Sequence, residues 1–185
     1  MPLNTPRGYP YPLYTDPANF PSQSQAFATA VDTDVAAQVT RINTAMAAPS
    51  ARVVATANQA VAASTLVVVT FATEEYDNAA MGNLGVNNDR LSFTSTGIYL
   101  VQASVTFASN GNATVNGRQM ELQIGGLAVA TESRAGSQNT PTELSVSYLR
   151  AITGGGFFAR VAVMQNSGAA LNITDRSLTA TKVAT

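Results

Sequence analysis

The sequence predicts a mainly β protein, a sandwich or jelly roll, preceded by an extended arm and one helix. Three observations predict it. From Arg52 onward, apolar residues recur with a period of two. Turn signals such as Asn87-Asn-Asp89, Asn110-Gly-Asn112, Asn116-Gly117, Gly125-Gly126 and Gly154–Gly156 break that pattern into short runs. Ahead of it, residues 1–21 hold six of the eight prolines, and a stretch with helical spacing follows.

The arm comes first. Pro2, Pro6, Pro10, Pro12, Pro17 and Pro21 fix φ and remove donors, so residues 1–21 are extended or turned and cannot join a sheet interior. Between them stand Tyr9, Tyr11, Tyr14 and Phe20, four rings with nothing local to bury them. The arm either lies along its own domain or inserts into a partner. A solvated tail is the weaker reading, because such tails are poor in aromatics.

Ser22 to Ala47 reads as a helix within a unit spanning 22–48. Ser22 can cap it with Gln25 three residues on, and Pro49 closes the far end. Its apolar stripe is Phe27, Val31, Val35, Val39, Ile42 and Met46. From Val35 the spacing of four, three and four makes a heptad seam: Val35, Val39, Ile42, Met46. Before it the spacing drifts, and Asp32 occupies a position a strict heptad would fill with an apolar residue. β-Branched residues on both seam positions favour more than two strands, so a trimeric coiled coil is expected. The competing expectation is a lone helix packed on its own sandwich.

The head, 52–185, contains candidate strands at Val53–Ala57, Leu66–Phe71, Arg90–Phe93, Ile98–Phe107, Gln119–Ile124, Leu127–Thr131, Leu144–Leu149, Phe158–Met164, Leu171–Thr174 and Leu178–Val183. Ile98–Phe107 has no proline and carries apolar residues on both alternating sets, which marks a strand inside the sheet. Around it Phe93, Gly97 and Tyr99, with Ile98, form an aromatic-x-x-x-Gly-x-Tyr pattern. That pattern resembles the signature of C1q/TNF-like jelly-roll domains. The likeness extends through Val69-Thr-Phe71, Tyr76-Asp-Asn78, Leu122-Gln-Ile-Gly-Gly126, Leu144–Leu149, Val161–Gly168 and Leu171-Asn-Ile173. The resemblance implies a jelly-roll head from about Arg52 to the end of the chain. It departs in one place: the family's Gly-Asp before the strand at Phe158 is Gly154-Gly-Gly156 here, so any contact of that acid is absent.

Composition excludes several kinds of chemistry. The chain has no cysteine and no histidine, which removes disulfides, thiol nucleophiles, Ser-His-Asp triads and imidazole metal sites. Ten basic groups against eleven acidic ones, nine of the ten being arginine, leave no basic run for nucleic acid. No stretch approaches the ~20 apolar residues of a membrane span. The start lacks the basic and apolar segments of a signal peptide, so synthesis and folding in a cytosol are expected. Glu74-Glu75-x-Asp77 is the one acidic cluster, placed in an apparent loop. A carboxylate pair of Glu75 and Asp77, or a calcium site, is conceivable there, but solvated loop acids are far commoner. The sequons at Asn112 and Asn172 fit chance in an Asn- and Thr-rich chain. Arg118, Arg134, Arg150 and Arg160 read as isolated, on a solvated face or at a subunit contact. The polar stretches Ser109–Gly117 and Thr131–Thr142 read as loops suited to recognising hydroxyls.

Arm and helix start, from Tyr9 to Phe20 and then Ala30-Val-Asp-Thr-Asp34, resemble the starts of minor tail or fibre proteins from phages of actinobacteria. Low charge (11 %) and an Asn-, Gln-, Ser- and Thr-rich composition suit large contacts between subunits. The expectation is therefore a non-enzymatic virion protein without cofactor: a homotrimeric tail or surface fibre. It docks to other virion proteins by its arm and turns its head toward a host glycan or receptor. A soluble C1q/TNF-like or lectin-like ligand is the alternative.

Overall fold

The computed structural model describes residues 3–4, 10–11, 20–46, 48–110 and 117–184. The chain divides into two units, Met1–Ala47 and Ala48–Thr185. In the first, β1 (Leu3–Asn4) and β2 (Pro10–Tyr11) form a two-residue antiparallel ribbon, followed by α1 (Phe20–Met46). The helix begins two residues before Ser22, taking Pro21 into its first turn, where the missing N–H costs nothing.

The second unit is a two-sheet antiparallel sandwich. Its strands are β3 (Ser50–Ala55), β4 (Gln59–Val61), β5 (Val67–Val68), β6 (Thr73–Asp77), β7 (Gly82–Asn83), β8 (Asn87–Ser92), β9 (Gly97–Phe107), β10 (Gly117–Ile124), β11 (Leu127–Ala135), β12 (Thr142–Ile152), β13 (Phe158–Gln165) and β14 (Leu171–Ala184). One sheet runs β12-β9-β14-β3-β6, with β4 against β14. The other runs β11-β10-β13-β8-β7, with β5 against β13. The mainly β sandwich predicted from the period of two is what forms.

Alternation decides the core. On β9 the odd residues Tyr99, Val101, Ala103, Val105 and Phe107 are buried, while Gln102 faces out. They meet Met120, Leu122 and Ile124 of β10 and Val161 and Val163 of β13 across the sandwich. Arg118 occupies the same inward set as Met120 and is fully buried, which corrects the expectation of a solvated or contact arginine.

Other boundaries shift for identifiable reasons. Glu74–Asp77 is strand, not loop: β6 pairs with β3, Arg52 opposite Tyr76 and Val53 opposite Glu74. Leu171–Thr174 and Leu178–Val183 join into one strand, because Arg176 points inward across the polar interruption. Leu66–Phe71 keeps only Val67–Val68 in a ladder. The stretch Thr131–Thr142 is strand over 131–135, and the connection is confined to 136–141. Gly125 and Gly126, at φ 61° and 84°, make the two-residue turn between β10 and β11 that only left-handed residues allow. Where the edge strands β11 and β12 come together, the Glu132 carboxylate accepts the Ser145 backbone N–H.

Candidate functional site

The carboxylates are engaged in structural contacts. Asp77 accepts the backbone N–H of Ala79 at 2.9 Å and of Gly82 at 2.6 Å, holding the turn after β6. Glu75 Oε2 lies 2.7 Å from Arg52 Nε. Among the described residues no three metal-ligating side chains gather, and no helix is long and apolar enough to cross a membrane.

The head signature is a packing device. The Phe93 and Tyr99 rings lie 4.7 Å apart at 58°. The Tyr99 hydroxyl pairs with Ser95 Oγ at 2.9 Å and donates to the Ser95 carbonyl at 3.2 Å, so a buried phenol is satisfied by the loop it closes. Gly97 at φ 143° brings the chain beside Lys182, and a Cβ there would sit 2.6 Å from the Ala184 carbonyl.

On α1, taken by itself, Val35, Val39 and Ile42 are about half exposed, at 54 %, 49 % and 57 %, and Phe27 at 49 %. Thr29, Thr33, Thr40 and Thr44 each donate to the carbonyl four residues back, absorbing their hydroxyls within the helix. Met46 ends the helix and Phe20 begins it; Tyr11 pairs with Leu3 in the ribbon. Tyr9 and Tyr14 lie outside the described residues, as does 111–116 of the Ser109–Gly117 connection. What is described of that connection is tied to the next loop, Asn110 N–H donating to the Ser137 carbonyl at 3.1 Å.

The two sheets present different outward faces. The β12-β9-β14-β3 face is built of small hydroxyls. Ser104 Oγ pairs with Ser177 Oγ at 2.8 Å, and Ser50 Oγ with Thr181 Oγ1 at 2.8 Å. A shallow hollow of about 310 Å³ there is lined by Arg52, Gln102, Ser104, Ser147, Ser177 and Thr179, among others. Toward one end of this face Leu149, opposite Leu100, is 58 % exposed.

The β10-β13-β8 face carries a connected polar chain. Gln119 Nε2 donates to Glu121 Oε1 at 3.0 Å, Gln123 Nε2 donates to Glu121 Oε2 at 3.1 Å, and Arg160 Nε donates to Gln123 Oε1 at 2.8 Å. Arg160 and Arg90 are register partners, and both stand over the Phe158 ring, at 5.6 and 4.4 Å. Asp89 takes Arg90 with both oxygens, at 2.7 and 2.9 Å. That hydrogen bond, opposed by burial and aided by the Arg90 and Arg160 charges, holds the Asp89 carboxyl below its ordinary range and raises Arg90.

Two further arginines are buried. Arg176 donates to the carbonyls of Thr70 at 2.6 Å and Ala57 at 2.5 Å, pinning two loops to β14. Among the described residues Arg118 has one long bond, to the Gly117 carbonyl at 3.3 Å, and stands 5.8 Å over Phe107, its Nε and Nη2 finding no hydrogen-bond partner there. Burial pushes both guanidinium groups down from the usual arginine value, with Asp175 partly opposing this at Arg176. The sequence reading missed these positions and the polar chain. Their signal was present, since Arg118 alternates with Met120 and Leu122, and Gln119 with Glu121 and Gln123.

Comparison with solved structures identifies the architecture. The globular domain of zebrafish complement 1qA matches with TM-score 0.55 at 9 % identity, covering 71 % of this chain and 94 % of that one. Murine APRIL at pH 8.0 matches with TM-score 0.54 at 15 % identity, covering 74 % and 99 %. The fold is a C1q/TNF-like jelly roll. Eiger TNF from S. frugiperda superposes on this jelly roll as well, with TM-score 0.50 at 12 % identity over 74 % and 92 %. No family model matches the chain, and no curated protein matches its sequence.

Proposed function

We propose that this chain is a phage virion structural protein, a homotrimeric minor tail or surface fibre. Its arm docks to other virion proteins and its jelly-roll head meets the host surface. The observation that carries the trimer is the row Val35, Val39 and Ile42, half exposed along a helix. Apolar side chains in a heptad row are stabilised when copies of the helix pack them together, about 25 cal/mol for each Å² removed from water. The nearly uncharged hydroxyl face of the β12-β9-β14-β3 sheet suits close approach by a neighbouring head. Light scattering on the full-length protein tests this reading: a trimer supports it, and a monomer refutes it. Deleting residues 1–21 should leave the head folded and absent from assembled particles.

The proposed role is non-enzymatic, because Glu75 and Asp77 are held by Arg52 and by backbone amides. The jelly-roll likeness favours a second reading, a soluble ligand of C1q/TNF type. Recovery of the protein from the medium of its native host, free of particles, would support that reading over the fibre.

A further inference from the structure

The polar chain on the β10-β13-β8 face ends in Arg160, which makes no ion pair of its own among the described residues, although the charge of nearby Asp89 reaches it. Arg160 is held at Nε by Gln123, and its Cζ stands 5.6 Å from the centre of the Phe158 ring, so the range open to its two terminal nitrogens is narrowed. Arg90, on the same ring, is already neutralised by Asp89. No carboxylate forms an ion pair with Arg160 among the described residues. Its guanidinium is thus a preorganised fork for one carboxylate.

The chain leading to it is equally fixed. Gln119, Glu121 and Gln123 hold one another's amides and carboxylate, so little side-chain freedom remains to be lost on binding. Gln119 keeps an amide oxygen and a second N–H, and Glu121 keeps spare acceptor capacity, for a ligand's hydroxyls. Residues 119 to 123 span about 13 Å of strand, the reach of a short oligosaccharide. Beside Gln119 a hollow of about 130 Å³ opens among Gly117, Ser133, Met164 and Asn166. Glu121, in the middle, repels a second negative charge, so a polysulfated or polyphosphate chain does not fit.

We infer that this face binds an acidic oligosaccharide with one carboxylate on Arg160 and neutral hydroxyls along Glu121 and Gln119, the buried Gln123 serving to position both charged groups. The inference rests on the proposal that the head meets a host surface, and names the class of ligand. The test uses full-length protein and short galacturonate oligomers in which only one uronate keeps its carboxylate. Fully carboxyl-reduced oligomers and a glutamate peptide are compared by titration calorimetry.

The mono-uronate oligomer should bind, and the reduced one should lose at least tenfold in affinity, a contrast that needs no protein variant. Arg160→Gln should lose a similar factor, Arg160→Lys should recover only part of it, and Glu121→Gln should admit a sulfated oligomer. Equal binding of reduced and mono-uronate oligomers would overturn the inference. So would no binding of either, unchanged binding by folded Arg160→Gln, or a glutamate peptide binding as tightly as the sugar. Trimer mass and incorporation into particles are read separately. A trimer that enters particles but ignores the sugar defeats this inference alone; a sugar-binding monomer defeats the fibre reading.

Discussion

Phe93 and Tyr99 lie with ring centroids 4.7 Å apart, and the six-residue step between them contains Gly97, whose missing Cβ lets the chain lie against Lys182 and Ala184. The loop is closed twice, by the rings and by the Tyr99 hydroxyl on Ser95. Phe93→Ala should cost about 3–5 kcal/mol, because a buried ring leaves a cavity. Tyr99→Phe should cost only about 1 kcal/mol, one hydrogen bond with the packing kept. Urea unfolding of the two variants checks the ratio.

Gly97 and Lys182 meet where β9 and β14 pair. Gly97→Ala forces a side chain into φ 143° and against the Ala184 carbonyl. A loss of about 1–3 kcal/mol is expected from the backbone alone. Equal midpoints for Gly97→Ala and wild type in urea would contradict it.

The two buried arginines should respond differently to removal, because only one of them holds two carbonyls. Arg176→Met leaves the Thr70 and Ala57 carbonyls without their donor, and should destabilise by about 2–4 kcal/mol while freeing both loops to protease. Arg118→Met removes a poorly bonded buried cation and leaves one weakly held carbonyl. It should be neutral or stabilising by about 1–4 kcal/mol, as for other buried charges replaced by apolar groups of similar volume. Thermal melts of the pair distinguish these outcomes.

Asp89 supplies a pH dependence. Its pKa is lower folded than unfolded, so the folded state favours the ionised form. The stabilisation is present above the unfolded carboxylate value and is lost as pH falls through the lower, folded one. Because the pair is only partly buried, about 0.5–1 kcal/mol is involved. Asp89→Asn should flatten the acid limb of a stability–pH curve by that amount and leave stability unchanged once the pH is below the lowered, folded value, where Asp89 is protonated in both states.

Val39→Asp with Ile42→Asp should abolish a helix-mediated trimer, since carboxylates at the seam would be buried against one another. The β signal of the head in circular dichroism should persist, and the mass by light scattering should fall to one-third.

The sandwich was legible because a buried sheet face imposes a period of two on the chain, and Ile98–Phe107 keeps that period without a break. Boundaries were less legible where a charged residue occupied an inward position. Arg176 split β14 in the sequence reading, since apolar patterning takes an arginine for solvent, and its two carbonyl partners come from distant loops. Glu74–Asp77 looked like loop for the same reason: a polar edge strand is recognised by its ladder with β3, which spans more than twenty residues of sequence.

The sequence by itself determined that this chain has no thiol or imidazole chemistry and that a β sandwich follows a helix, while the grouping of Phe93, Gly97 and Tyr99 came from their resemblance to the C1q/TNF-like signature. Tertiary structure alone decided which arginines are buried and which pair with a neighbouring carboxylate. The physical reason is that alternation specifies the face a side chain takes. Its partners are set by strands brought together from elsewhere, as Gln123 and Phe158 are brought to Arg160.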